Sequence, residues 1–186
     1  MVKSILLSTL LLGTSLAADT SSSAKEEGIS AIKALGSKLK SELKSKFKED
    51  PSGVTAASFC ADSAMKITKE INSKLPGNVT VRRTSLKTRN STNKPDETDV
   101  KVMDVLAKEI AAKQISPGSV KVVEAEGATR VYKPLVTQKV CLKCHGSDIS
   151  PEISDMLKKH YPEDQARGFK EGDLRGVIVA EVKTNK

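Results

Sequence analysis

The chain has no tryptophan, three phenylalanines and two tyrosines. Its core must therefore be filled by aliphatic side chains, and with so few large rings it would be helped by a broad apolar body from outside the polypeptide. Three cysteines exclude a disulfide framework, which needs several pairs. Two histidines leave little material for enzymes that need several acid–base groups around an open site, and we expect no enzymatic turnover. No apolar run reaches the ~20 residues that span a bilayer. No internal repeat is visible.

The most apolar stretch, Ile5–Leu12, lies at the start. Lys3 precedes it and Ser15-Leu16-Ala17 follows, which is the order of an export signal with small residues at its cleavage site. Residues 1–18 are therefore expected to be a signal peptide, and the mature chain a soluble periplasmic protein with no stable membrane insertion. What remains suits one domain of ordinary size. The net charge of +8 is carried largely by a lysine-rich first helix. That is a solvated face with a mild bias toward acidic partners, and nucleic acid is not the natural partner of an exported chain.

The most informative stretch is Cys141-Leu142-Lys143-Cys144-His145-Gly146. It reads C-x-x-C-H, the attachment signature of c-type haem. Thiols three residues apart on one helical turn point the same way and can form thioethers to the two vinyl groups of a porphyrin. His145 follows directly and can place its imidazole on the iron. Gly146 lets the chain turn away close to the macrocycle. A zinc site would need third and fourth ligands, and only Cys60 and His160 remain, both remote. A thioredoxin-like pair would need a βαβ setting, and the adjacent histidine would be unexplained. One covalently attached haem c is the expected cofactor.

Taken in order, residues 19–28 are Ser/Thr-rich and polar, which predicts a mobile start. Ile32, Leu35, Leu39, Leu43 and Phe47 predict an amphipathic helix that ends before Pro51. These make residues 19–52 a tail and helix, with a haem domain over 53–186. A second helix is predicted from Gly53 to Leu75, with Cys60, Ala64, Ile67 and Ile71 on its apolar stripe and Met65 off it. A strand follows over 78–86, a charged loop over 87–99, and a helix over 100–112. Runs 119–125 and 129–137 read as a hairpin. Pro151 can open a short helix to about His160, and 173–182 alternates as a closing strand. The fold class is α+β, with a small, mostly antiparallel sheet flanked by helices.

Several stretches together resemble the PAS-like c-type haem-binding proteins, a group first catalogued as a domain of unknown function. They are Arg82–Asn90, Asn93-Lys94-Pro95-Asp96, Tyr132-Lys133-Pro134-Leu135, the C-x-x-C-H-G block, Tyr161-Pro162-Glu163-Asp164 and Gly172-Asp173-Leu174-Arg175-Gly176. The resemblance covers residues 54–182. Glu97-Thr98-Asp99 departs from it, since relatives often carry an aromatic after the Pro-Asp. The resemblance implies a PAS-like sheet and an unusual axial pair on the iron: the motif histidine, here His145, and a cysteine from an upstream helix, here Cys60.

From the residues alone the sixth position is open among Cys60, His160, Met65, Met103, Met156 and water. Cys60 is unpaired and on an apolar stripe, the setting of a buried structural thiol as well as of a ligand. A thiolate would favour ferric iron and lower the potential relative to Met/His cytochromes. Arg83 and Arg89 are the preferred candidates for propionate contacts, and Arg175 could equally support the last strand. The function classes weighed are a periplasmic cytochrome in electron transfer or redox sensing with a protein partner, a gas or redox sensor signalling by contact, and, less favoured, a haem enzyme.

Overall fold

The computed structural model describes residues 16–116, 118–125 and 127–184, with side chains described from residue 22. The expected signal peptide therefore lies largely outside the described residues.

Four strands, β1 (Val79–Thr84), β2 (Lys121–Ala125), β3 (Ala128–Val136) and β4 (Leu174–Lys183), form one antiparallel sheet in the order β1-β4-β3-β2. The β2–β3 hairpin closes on the pair Ala125 and Ala128, with Gly127 at φ 76°. The alternation of β4 sorts its side chains to two cores. Ile178, Ala180 and Val182 face α1 (Leu16–Glu49), joined by Val81, Val131 and Ile67. Val177 and Val179 face α4 (Glu97–Ala111), where Val102, Met103, Leu106 and Tyr132 complete a second core. Each large aliphatic buried there contributes about 1.5–3 kcal/mol. The α+β class expected from the sequence is what is found.

Residues 19–28 are not a loose start. They are the first turns of α1, with Ala24 buried. The face that α1 lays on the sheet here begins with Ala24, Gly28 and Ala31, small residues that a search for large apolar side chains passes over, and continues with Leu35. A Cβ on Gly28 would stand 2.6 Å from Cγ2 of Val131. We expect Gly28→Val to lever α1 off the sheet and cost about 1–3 kcal/mol, read as a lower thermal midpoint. An unchanged midpoint would mean that α1 docks less closely than described.

The helix expected over 53–75 is two helices, α2 (Val54–Asp62) and α3 (Ala64–Asn72), divided at Ser63 with φ −120°. Asp62 and Ser63 are weak helix formers, so the continuous apolar stripe hides the break. The side chain of Asn72 donates to the carbonyl of Val81 and accepts its N–H, both at 2.8 Å, which covers the open edge of β1. α4 begins three residues earlier than expected because Asp96 and Asp99 form a reciprocal capping box. Two short helices complete the fold, α5 (Leu142–His145) and α6 (Pro151–His160). Among the described residues no helix is long and apolar enough to cross a membrane.

Candidate haem site

β3 leaves the sheet at Val136 and is tied to the chain before β4 by Thr137, whose N–H donates to Asp173 O and whose carbonyl accepts from Gly172. A 3-10 turn, Lys139–Cys141, then delivers the chain into α5. Cys141 and Cys144 thus stand one turn apart. Cys144 packs against Ala57 of α2 and Ile153 and Leu157 of α6. Burial pushes its thiol up to about 11, aided by neighbouring Cys60 and Cys141 and opposed by Arg89 and Lys143. Gly146 has an ordinary φ of −73°; the close approach is what excludes a side chain, since a Cβ would stand 2.6 Å from Leu142 O.

The imidazole of His145 is held from behind. Its Nδ1 lies 2.9 Å from the carbonyl of Ala166. A carbonyl only accepts, so with a metal on Nε2 the hydrogen of Nδ1 is directed to Ala166 O. Burial, and then Arg175 and Arg89, hold the ring well below its usual pKa, so it is neutral at physiological pH. Segment 164–169 forms a strap along the motif. Gly168 N donates to Gly146 O and Phe169 N to His145 O, each at 2.9 Å. Asp164, 3% exposed at its side chain, fixes the strap by accepting from Arg89 Nε at 3.1 Å, Ala166 N at 2.9 Å and Arg167 Nε at 3.1 Å.

Cys60 comes to this place from α2. It is half-buried, its backbone carbonyl accepts from Tyr161 Oη at 3.2 Å, and its helix packs on α6 beside Cys144. Burial raises its thiol pKa, while Arg83, Arg89 and Arg175 pull it back down. The structure therefore gathers Cys141, Cys144, His145 and Cys60 within one cationic neighbourhood. His160 is exposed at the end of α6, and Met103 is sealed in the second core. Met65, expected to point away, touches Arg83: Nη2 lies 3.9 Å from its Sδ.

The two preferred arginines separate. Arg89 is committed within the protein, to Asp164 and to the carbonyls of Cys144 and Ala166. Arg83 has no carboxylate partner among the described residues, and its Nε is buried without any hydrogen-bond partner. An orphaned guanidinium N–H beside a thiol suits an anionic group, whether a propionate or a thiolate. The donor set and this orphan both fit a covalent haem. Among the described residues no three His, Cys, Asp or Glu side chains converge on a bare ion, so the zinc alternative finds no third ligand.

Sequence reasoning gave no role to Asp164, Ala166 or Phe169. Asp164 lay in a stretch that carried the resemblance, which was the available signal. A backbone carbonyl such as that of Ala166 leaves no signature in residue type.

The family profile for Tll0287-like proteins matches residues 15–182. The chain belongs to the Tll0287-like family. This bears out the resemblance read from the sequence, and it extends the match to α1, which that resemblance left outside. The chain is also similar to a solved structure described as the crystal structure of the cyanobacterial heme-protein Tll0287. That similarity has 25% identity and a TM-score of 0.55, covering 68% of this chain and 73% of that one. No curated protein matches the chain. The matched span of this Tll0287-like chain contains Cys60, Cys141, Cys144 and His145 and the strap that orients His145.

Proposed function

We propose that this Tll0287-like protein is an exported, periplasmic monohaem c-type cytochrome. Cys141 and Cys144 hold the macrocycle, and His145 and Cys60 are the axial ligands. The observation that carries the reading is the pairing of a C-x-x-C-H turn with a histidine whose Nδ1 is already engaged by Ala166 O, beside a third sulfur among arginines. Bound haem supplies a one-electron ferric/ferrous couple. The chain supplies the rest. Ala166 O fixes the imidazole, the apolar surfaces of α2 and α6 exclude water, and Arg83 offers positive charge to an anion. With Cys60 as thiolate the potential lies low relative to Met/His cytochromes.

Electron transfer or redox sensing through a protein partner is the function, without catalysis of its own. The lysines exposed on α1 bias that partner toward an acidic surface. A gas- or redox-sensor reading is favoured by one feature, the helix break at Ser63 just after Cys60, which gives that ligand a place to swing from. Carbon monoxide separates the two readings: fast binding to the reduced protein supports sensing, and none supports pure electron transfer. The shared core of both is tested by the intact mass of the denatured protein from a host with cytochrome c maturation. We expect the mature chain plus one haem; the bare chain mass would end the proposal.

A further inference from the structure

Arg175 is a charged residue beside the motif to which the haem reading gives no role. The β3–β4 ladder pairs Leu135 with Gly176 and Val136 with Leu174, so Arg175 is the extra residue of a β-bulge. Bulges re-aim a side chain, and here the following Gly176, at φ 155°, leaves no room for a Cβ, which would stand 2.5 Å from Thr84 O. The bulge turns Arg175 toward the motif. Its Nε lies 3.2 Å from Nδ1 of His145, its Nη1 donates to Ser85 Oγ at 3.0 Å, and its guanidinium lies over the Phe169 ring at 5.1 Å. Among the described residues no carboxylate lies within salt-bridge distance of it.

The contact with His145 is not an ordinary hydrogen bond once Nε2 binds iron. Nδ1 then carries a hydrogen directed to Ala166 O, and Arg175 presents a second donor to the same atom. What remains is a fixed positive charge held against the edge of the ligand. The carbonyl makes the imidazole a better electron donor. The guanidinium opposes that donation and stabilises the more electron-rich state of the centre.

We propose, resting on the haem reading, that Arg175 is a positioning residue whose charge, aimed by the bulge at His145, raises the reduction potential of a centre that a thiolate would otherwise hold low. The test is spectroelectrochemical titration of haem-loaded wild type, Arg175→Gln and Arg175→Lys, with haem content read separately by pyridine haemochrome. At a fixed solution potential, the reduced-to-oxidised ratio is expected to fall at least about ten-fold in Arg175→Gln, about 59 mV for a one-electron couple. Arg175→Lys keeps the charge and should stay within about three-fold of wild type. The ferric spectra should remain low-spin throughout. A ratio in Arg175→Gln close to wild type, or an equal loss in Arg175→Lys, overturns the proposal. If Arg175→Gln does not hold haem, Ser85→Ala carries the test, since it loosens the guanidinium without touching His145; its ratio must fall, and no change overturns the proposal. A wild type without haem overturns the haem reading itself, and the haemochrome assay shows that before any titration.

Discussion

Serine at both Cys141 and Cys144 should leave no haem on the denatured chain. The argument is one of bond type. A hydroxyl does not form the thioether that a thiol makes with a vinyl group, and His145 alone holds a porphyrin only by coordination, which denaturation releases. The single variants should differ from the double. Each retains one sulfur and so one covalent link. Cys144→Ser should be the more damaging to the fold, because Cys144 is packed among Ala57, Ile153 and Leu157, while Cys141 belongs to no core cluster. A haem stain on denaturing gels reads all three. Haem surviving denaturation on the double variant would mean that attachment uses other atoms.

Asp99→Ala should be the most destabilising single change away from the haem site. Asp99 is completely buried at the start of α4. Its carboxylate accepts from Arg82 Nη2 at 2.7 Å, from Tyr132 Oη at 3.0 Å and from Asp96 N at 3.1 Å. Arg130 lies 3.8 Å away, bound in turn by Asp96 at 2.6 Å and Glu181 at 2.8 Å. This knot ties α4 to three strands. Removing its centre takes the 2.7 Å partner from Arg82 and leaves the buried Tyr132 hydroxyl and the Asp96 N–H without their acceptor, which together costs about 3–5 kcal/mol. For a domain of this size that is a fall of roughly 6–20 °C in thermal midpoint. Tyr132→Phe removes one hydrogen bond and should cost about 0.5–1.5 kcal/mol.

The same knot sets a pH dependence. Burial raises the Asp96 carboxyl, but the Asp99 N–H and Arg130 outweigh it and hold the folded value below the ordinary 3.8. A depressed acid stabilises the fold above its unfolded value. That part of the stability is complete above about pH 4 and drains as pH falls through the lower folded value. Urea titrations at pH 7 and pH 3 should show the loss, and Asp96→Asn should show less of it.

How much of this was legible in the sequence depends on whether local chemistry or distant packing set each feature. The C-x-x-C-H turn was legible because it is a run of contiguous residues whose spacing is fixed along the chain. The closing strand was legible because its alternation is a backbone property. The start of α1 was not, because its buried face is Ala24, Gly28 and Ala31, and the reason for small residues is Val131 across the interface. The break at Ser63 was hidden by an apolar stripe that runs through it. Asp99 reads in sequence as an acidic residue in a charged loop; its burial follows from Arg82 and Tyr132 arriving on separate strands. Arg89 was read as a propionate partner by charge alone, and the structure shows it stapling Asp164 to the motif. Arg175 was ambiguous because a one-residue register shift, invisible in composition, decides where it points.

The ligation scheme of a single low-spin iron between His145 and Cys60 is tested most directly by electron paramagnetic resonance of the oxidised, haem-loaded protein. The expected result is a low-spin signal with the narrow anisotropy of thiolate ligation in the wild type, lost in Cys60→Ala. A high-spin signal in the wild type, or the same low-spin signal in both proteins, would contradict it.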